Sequence, residues 1–421
     1  MNTENRHTAS FLFEQEREKI QRSFSVMVKC AGPLCNLDCD YCYYLEKDAL
    51  YPEKKFNLSS FRMEEAILEK MIREVILSQP QSRIEFVWHG GEPALLGIGY
   101  FRKIVEWQQK YAGGKTIANS FQTNGTLLDD AWAEFLAENH FLCGISIDGP
   151  SRFHDNHRRF RNGEGSWQKA MEGLRLLQKH GAEFNTMTVV NASNSKQPAV
   201  IYDFLKSIGS RFMQFSPIAE RIALDPEEPL SIVENLYTKP TALLQENVSA
   251  RDWGNFLCRI FDLWVKKDVG RYYINYFDNT LAAYVGQPPS LCSMAPYCGC
   301  SPAIEHNGDT YCCDHFVFPE YRIGNLTDFP LSEMVKSDKQ LFFEQRKRDS
   351  LSRQCRNCEF LSACGGDCPK NRFIRNADGE YISCLCEGFQ LFFRYTKKYF
   401  EYMANELKNN RPPANIMKQK F

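Results

Sequence analysis

The chain has 421 residues, with 51 basic and 52 acidic side chains and a formal net charge of -1. That balance argues against a basic nucleic-acid surface or a charged tail for a membrane or partner, and 43% hydrophobic against 24% charged residues is a globular composition. The N-terminal MNTENRHTASFLFEQEREKIQ has no apolar signal region, and no apolar run approaches the ~20 residues of a membrane span. A cytoplasmic protein with no nucleic acid and no membrane partner is expected.

Residues 1–24 match no interpretable motif. From 25 to 230, strand-like and helix-like segments alternate: FSVMVK, then RMEEAILEKMIREVI with Ile67, Met71 and Val75 on one helical face, then IEFVWHGG. YFRKIVEWQQKY reads as a helix and IANSFQTNG as a strand. DDAWAEFLAEN is a helix capped by Asp129 or Asp130, FLCGISIDG a strand, and SWQKAMEGLRLLQKHG a helix ending at Gly181. FNTMTVVN, PAVIYDFLKSIG and RFMQFSPIAE add a strand, a helix and a sixth strand. Such alternation predicts parallel pairing through right-handed crossovers, a full or partial (β/α) barrel. His89, Gly90, Gly91, Glu92, Gln122, Asn124, Ser146 and Asp148 fall at the C-terminal strand ends, the rim where such folds build sites. Residues 231–285 read as a helical connector, 286–390 as a cysteine-rich domain with short hairpins, and 391–421 as a helix and tail.

Seventeen cysteines in a reducing compartment point to metal or redox chemistry rather than disulfides. Three of them, Cys35, Cys39 and Cys42, sit in CNLDCDYCYY, and eleven lie between Cys292 and Cys386. A structural zinc site takes four protein ligands. Here a local fourth is missing, Cys30 being placed in a strand, although a zinc knuckle still fits the loop. A [4Fe–4S] cluster on three thiolates leaves one iron open to a small chelating molecule.

The three-cysteine loop resembles the radical S-adenosylmethionine (radical SAM) superfamily, in which SAM occupies the open iron and is cleaved to a 5'-deoxyadenosyl radical. The resemblance extends to HGGEP, whose Gly91 backbone would meet the methionine amino group. It also places Ser146 of GISIDGP and Arg158 of HDNHRRFR near the SAM carboxylate and ribose. Ala219, after the sixth strand, and Tyr41 would meet adenine. The run CRNCEFLSACGGDC resembles the SPASM extension, which holds two further [4Fe–4S] clusters. This implies Cys292, Cys298, Cys313 and Cys368 on one, and Cys355, Cys358, Cys364 and Cys386 on the other. Cys300, Cys312 and Cys384 are then bystanders, with Cys312 the alternative to its neighbour Cys313 and Cys384 the alternative to Cys386.

The fold implied is a partial (β/α)6 radical SAM barrel followed by a SPASM domain, carrying three [4Fe–4S] clusters and SAM. NGDTYCCDHFVFPEYRIGN, QTNGTLLDDAW, CPKNRF and PANIMK are similar to stretches of anaerobic sulfatase-maturating enzymes. That family oxidises a cysteine or serine of a sulfatase polypeptide to Cα-formylglycine, with the residue matching Asp314 as base. A carboxylate suits a thiol of pKa ~8.5 only if burial raises its own pKa, or if proton transfer is coupled to electron loss. Tyr44 would touch substrate or SAM, or pack beside the cluster. The resemblance implies a flavodoxin or ferredoxin as electron donor. The alternative within the same group is a maturase of another peptide, forming thioethers or cross-links. A cluster-binding regulatory protein is the non-enzymatic reading.

Overall fold

In a computed structural model, residues 23–234 and 236–419 are described, so residues 1–22 of the N-terminal extension lie outside the described residues. The six predicted strands form as read: β1 Val26–Lys29, β2 Arg83–Trp88, β3 Thr116–Thr123, β4 Leu142–Ser146, β5 Phe184–Val190 and β6 Phe212–Pro217. Each pairs in parallel with its sequence neighbour, and the sheet stays open instead of closing into a barrel. Helices Glu65–Leu77, Ile98–Tyr111, Asp130–Glu138, Trp167–His180 and Pro198–Ser207 form the crossovers. Local chemistry sets their ends. The Asp129 carboxylate accepts the Trp132 N–H at 2.8 Å, capping the helix that starts at Asp130. Leu68, Met71, Ile72 and Val75 are buried against the sheet, as the apolar periodicity requires.

The connector differs in part from the reading. Residues 231–234 and 236–249 are not helical: β8 Ile232–Val233 and β9 Thr241–Leu243 flank β7 Arg221–Ala223 in a small antiparallel sheet. Pro240 lacks the N–H a helix would need there. Beyond it, helix Ala250–Lys267 packs along the C-terminal helix Cys386–Lys408. Their axes meet at two glycines: a Cβ on Gly254 would stand 2.7 Å from the Gly388 carbonyl oxygen. Short β10 Tyr273–Ile274 extends the main sheet beyond β6.

The cysteine-rich region is not a separate layer. β11 Ala303–Glu305 pairs in parallel with β1, Met27 opposite Ala303, and β12 Asp309–Tyr311 and β13 Arg322–Asn325 continue antiparallel from it. One ten-stranded sheet therefore runs from β10 to β13 across the boundary drawn near residue 286. This pairing carries the segment after β12 to the rim where β1 ends. No helix among the described residues is long and apolar enough to cross a membrane.

Candidate active site

β1 delivers the chain into the cysteine loop, and the turn after β2 docks onto it. Gly91 N donates to the Gly32 carbonyl at 2.8 Å and Glu92 N to that of Leu34 at 2.7 Å. A Cβ at Gly91 would lie 1.9 Å from the Leu34 oxygen, so no side chain fits there. The Gly91 carbonyl is the group left for a ligand. Fully buried Glu92 accepts from Ala94 N, Thr123 Oγ1 and Asn124 N at 2.8–3.0 Å, tying the ends of β2 and β3 together. Burial pushes its carboxyl up to about 7 despite these bonds. The sequence reading put Glu92 on the rim without giving it this brace.

Cys35, Cys39 and Cys42 stand together on this loop, each partly exposed. Burial pushes the Cys35 thiol up to about 12 and raises Cys39 and Cys42 above the ordinary thiol range. They are neutral until a metal displaces their protons. Leu37 N at 3.4 Å and Asn124 Nδ2 at 3.7 Å donate to Cys35 Sγ, contacts that tune a sulfur-ligated metal. One zinc ion, with bonds near 2.3 Å, would draw its thiolates to roughly 3.8 Å of one another. Among the described residues, the three candidate ligand atoms found within 4.8 Å of one another belong to Asp40, His157 and Glu246, with no cysteine. The three loop sulfurs thus do not all lie within 4.8 Å of one another, farther than one zinc ion holds its thiolates, and a three-thiol donor set suits a cluster that keeps one iron open.

The residues assigned to SAM gather on the same rim, but several are already engaged. Asp148, fully buried, accepts from Arg158 Nε at 3.0 Å and from the Tyr41 hydroxyl with one oxygen, and from Val189 N at 2.9 Å with the other. The Arg158 guanidinium lies 5.5 Å from the Tyr41 ring centre. Ser146 Oγ accepts from Gln122 Nε2 at 3.1 Å. Ala219 is buried, and its carbonyl accepts Lys370 Nζ at 3.1 Å. Lys370 also pairs with Glu220 at 2.6 Å, so the end of β6 is tied to the segment that follows Cys368. The sequence reading gave Asp148 no partner and did not single out Lys370.

Asp314 is brought to this rim by the β1–β11 pairing. Its Oδ1 ion-pairs with Lys29 Nζ, and its Oδ2 accepts the Tyr43 hydroxyl at 2.5 Å. Lys29 is fully buried, 3.1 Å from His89 Nδ1 and 4.4 Å from the centre of the Tyr44 ring. Burial alone would raise the Asp314 carboxyl. Lys29 overrides it and holds the group well below the usual carboxylate range. The first condition set for matching a thiol is therefore not met, which leaves proton transfer coupled to electron loss. Tyr44 packs instead of facing a ligand: its hydroxyl donates to Glu305 at 2.6 Å. Lys29 and Tyr43 were missed from sequence. The available signal was a lysine closing the apolar strand FSVMVK.

The C-terminal cysteines fall into two groups. Cys355, Cys358, Cys364 and Cys386 line one pocket, with Phe360, Leu361, Phe389 and Phe393 around it and Gln390 Nε2 3.6 Å from Cys386 Sγ. Cys313 lies beside Cys368 and Cys292, and Cys368 beside Cys292 and Cys298, close enough that their charges would raise one another's pKa beyond the effect of burial. Cys312 instead packs with Phe316, Phe318 and Phe343, and Cys384 faces Asp367 and Lys370.

The profile of the Radical SAM superfamily matches residues 31–205, and that of the SPASM iron-sulfur cluster-binding domain matches 292–359. The chain is 48% identical to a serine-type anaerobic sulfatase-maturating enzyme of Bacteroides thetaiotaomicron, over 93% of this chain and 94% of that one. It is 33% identical to a cysteine-type anaerobic sulfatase-maturating enzyme of Clostridium novyi, over 92% and 98% of the two chains. A solved structure described as native anSMEcpe with bound AdoMet and Cp18Cys peptide superposes with a TM-score of 0.78 at 28% identity, covering 91% of this chain and 99% of the other. With its three-thiol rim, its cysteine-lined pocket and these relatives, the chain belongs to the anaerobic sulfatase-maturating enzyme family of radical SAM proteins.

Proposed function

We propose that this protein oxidises a serine or cysteine side chain of a sulfatase polypeptide to Cα-formylglycine, with Asp314 as the base. The observation that carries the residue assignment is the ion-paired Asp314, placed by β11 and β12 on the rim that bears Cys35, Cys39 and Cys42. The three loop thiols would hold one [4Fe–4S] cluster, and the two C-terminal groups of four would hold the others. SAM, when bound at the loop cluster, would supply a 5'-deoxyadenosyl radical as the acceptor of a hydrogen atom from the substrate Cβ. Gly91, through its carbonyl, and Ser146, Arg158, Tyr41 and Ala219 would orient SAM. Asp148 holds Arg158 and Tyr41 in place for that task.

Asp314 is kept ionised but is a weak base, so it would take the substrate's O–H or S–H proton as the electron leaves. Lys29 and Tyr43 fix the plane of its carboxylate. The C-terminal clusters, whose four-thiol sets would leave no open ligand position, would supply the acceptor for the substrate's second electron; the thioaldehyde from a cysteine would then take up water and release hydrogen sulfide, whereas a serine gives the aldehyde directly. A low-potential flavodoxin or ferredoxin as electron donor, and a cytoplasmic location, complete the reading.

The test is anaerobic. The protein, reconstituted with iron and sulfide, is given SAM, a reductant and a sulfatase-derived peptide carrying the target residue. The expected result is a loss of about 18 Da from a cysteine peptide, or about 2 Da from a serine peptide, with 5'-deoxyadenosine formed in step. Deoxyadenosine without peptide change would overturn the substrate assignment and return the reading to a maturase of another peptide.

A further inference from the structure

Gly365, Gly366 and Asp367 link Cys364 of one C-terminal thiol set to Cys368 of the other. All three have left-handed backbone, with φ of 59°, 74° and 60°. Two are glycines, which adopt it freely. Asp367 is not, so contacts of its own side chain must offset the strain. The Arg372 guanidinium holds the turn from one side, donating to the carbonyls of Gly366 at 2.8 Å, Asp367 at 3.0 Å and Lys347 at 2.6 Å. The Asp367 N–H donates to the Cys364 carbonyl at 3.1 Å.

The Asp367 side chain is buried and touches both sets. Its Oδ1 accepts the Cys368 N–H at 2.6 Å. Its Oδ2 accepts Ser383 Oγ at 2.6 Å and Asn371 Nδ2 at 2.9 Å. Ser383 leads into the second set, because its carbonyl accepts the Cys386 N–H at 3.1 Å. Three donors on two oxygens mark the ionised form. Beyond the effect of burial, that charge pushes up the thiols of Cys368 and Cys292 in one set and of Cys364 and Cys386 in the other. Among the described residues no cation pairs with it directly: Arg372 and Lys347 donate to backbone carbonyls instead. An added electron makes a cluster more negative, so a fixed carboxylate shared by two clusters opposes reduction of both. Resting on the three-cluster reading above, we propose that Asp367 is the shared charge that lowers the reduction potentials of both C-terminal clusters. Such clusters, having taken the substrate's electron, are the readier to give it up before the next turnover.

Asp367→Asn removes the charge with little change of shape. Asparagine tolerates left-handed backbone, and its oxygen can accept the Cys368 N–H. Asn371 Oδ1, which has no partner among the described residues, can turn to receive the new amide. Wild type and variant, reconstituted with iron and sulfide, are titrated anaerobically against potential, and reduced clusters are followed by electron paramagnetic resonance. The loop cluster is marked by the change that SAM makes in its signal and serves as the internal reference. Both C-terminal midpoints should rise in the variant, each by about tenfold in the equilibrium constant for reduction, or about 59 mV. That is the effect of one charge about 10 Å away at an effective dielectric constant near 20. The loop midpoint should not move. No rise, a rise at one C-terminal cluster alone, or an equal rise at all three would overturn the proposal. Asp367→Gly, neutral and suited to the backbone, should give the same two shifts and replaces the asparagine variant if that one does not take up iron. Failure of both variants to take up iron where wild type does would make Asp367 an assembly residue and sink the proposal. If wild type itself takes up only about four irons per chain, one cluster's worth, the three-cluster reading has failed and the proposal falls with it.

Discussion

The loop at Cys35–Cys42 and the pocket at Cys355–Cys386 both gather thiols, yet their surroundings are opposite in character. The loop offers three, and the rest of its rim is polar: Asn124, Ser146, Arg158, Asp314 and the Gly91 backbone. The pocket offers four, and its walls are mainly apolar, Phe360, Leu361, Phe389 and Phe393, with Gln354 and Gln390 beside Cys386. A polar rim with an open position receives a small charged ligand. A four-thiol cage leaves no ligand position for a small molecule, so electron storage or transfer is the use that fits it. Ligand count and wall chemistry agree in each region, which makes the division of labour more than a matter of counting cysteines.

Breaking the loop should have the largest effect. Cys39→Ala should abolish 5'-deoxyadenosine formation, read by chromatography, a fall of about a thousandfold or more if metal affinity and chemistry both depend on that thiol. Normal deoxyadenosine from this variant would remove the loop from the mechanism. Asp314→Asn separates the two halves of the reaction. Peptide oxidation should fall by roughly a hundredfold or more, the usual worth of a general base, while SAM cleavage persists. Equal loss of both would recast Asp314 as structural.

The pocket is tested by its ambiguous neighbours. Cys386→Ala should remove about four irons per chain from the reconstituted protein, one [4Fe–4S] complement, while Cys384→Ala should keep them. The reverse result would exchange the two assignments. The link between the regions should show a smaller effect. Lys370→Met removes the donor to Ala219 and the partner of Glu220. It should raise the SAM concentration for half-maximal deoxyadenosine formation by about fivefold, the worth of one charged hydrogen bond, with little change in the rate at saturating SAM.

The smallest effect concerns stability between the regions. Lys47 is buried against the Phe318 ring, 3.6 Å from its centre, and burial lowers its amine to about 8. A cation whose folded pKa is depressed costs stability below that value. The cost fades as pH rises from about 8 toward the ordinary lysine range near 10.4, because the unfolded chain then holds the extra proton. Lys47→Met should therefore raise the unfolding temperature at pH 7 by about 2 °C, and the gap should close by roughly pH 10. A gap constant with pH would show that packing, and not charge, sets the difference.

Much of the architecture was legible because it is local. Period and propensity placed the six strands and their crossover helices, and the Asp129 cap and Gly181 at the end of its helix follow from neighbouring residues alone. Residues 231–249 were misread because their apolar residues carry a helix-like spacing that Pro240 and the partner strand β7 overrule. Arg158 was placed beside SAM with no sign that Asp148 holds it. That bond joins a strand end to the far side of a helix, which no local pattern records.

The sequence by itself determined the thiol chemistry. Ligand spacing in CNLDCDYC and CRNCEFLSAC is set by covalent reach within a loop, so it can be read without a fold. Only the tertiary structure decided the state of the proposed base. Lys29 and Asp314 lie far apart in the chain and meet because β1 pairs with β11, and that single strand pairing turns a buried carboxylate, which isolation would protonate, into one held ionised. It equally decided which of Cys384 and Cys386 faces the pocket, since the direction of a side chain depends on where the C-terminal helix starts and what it packs against.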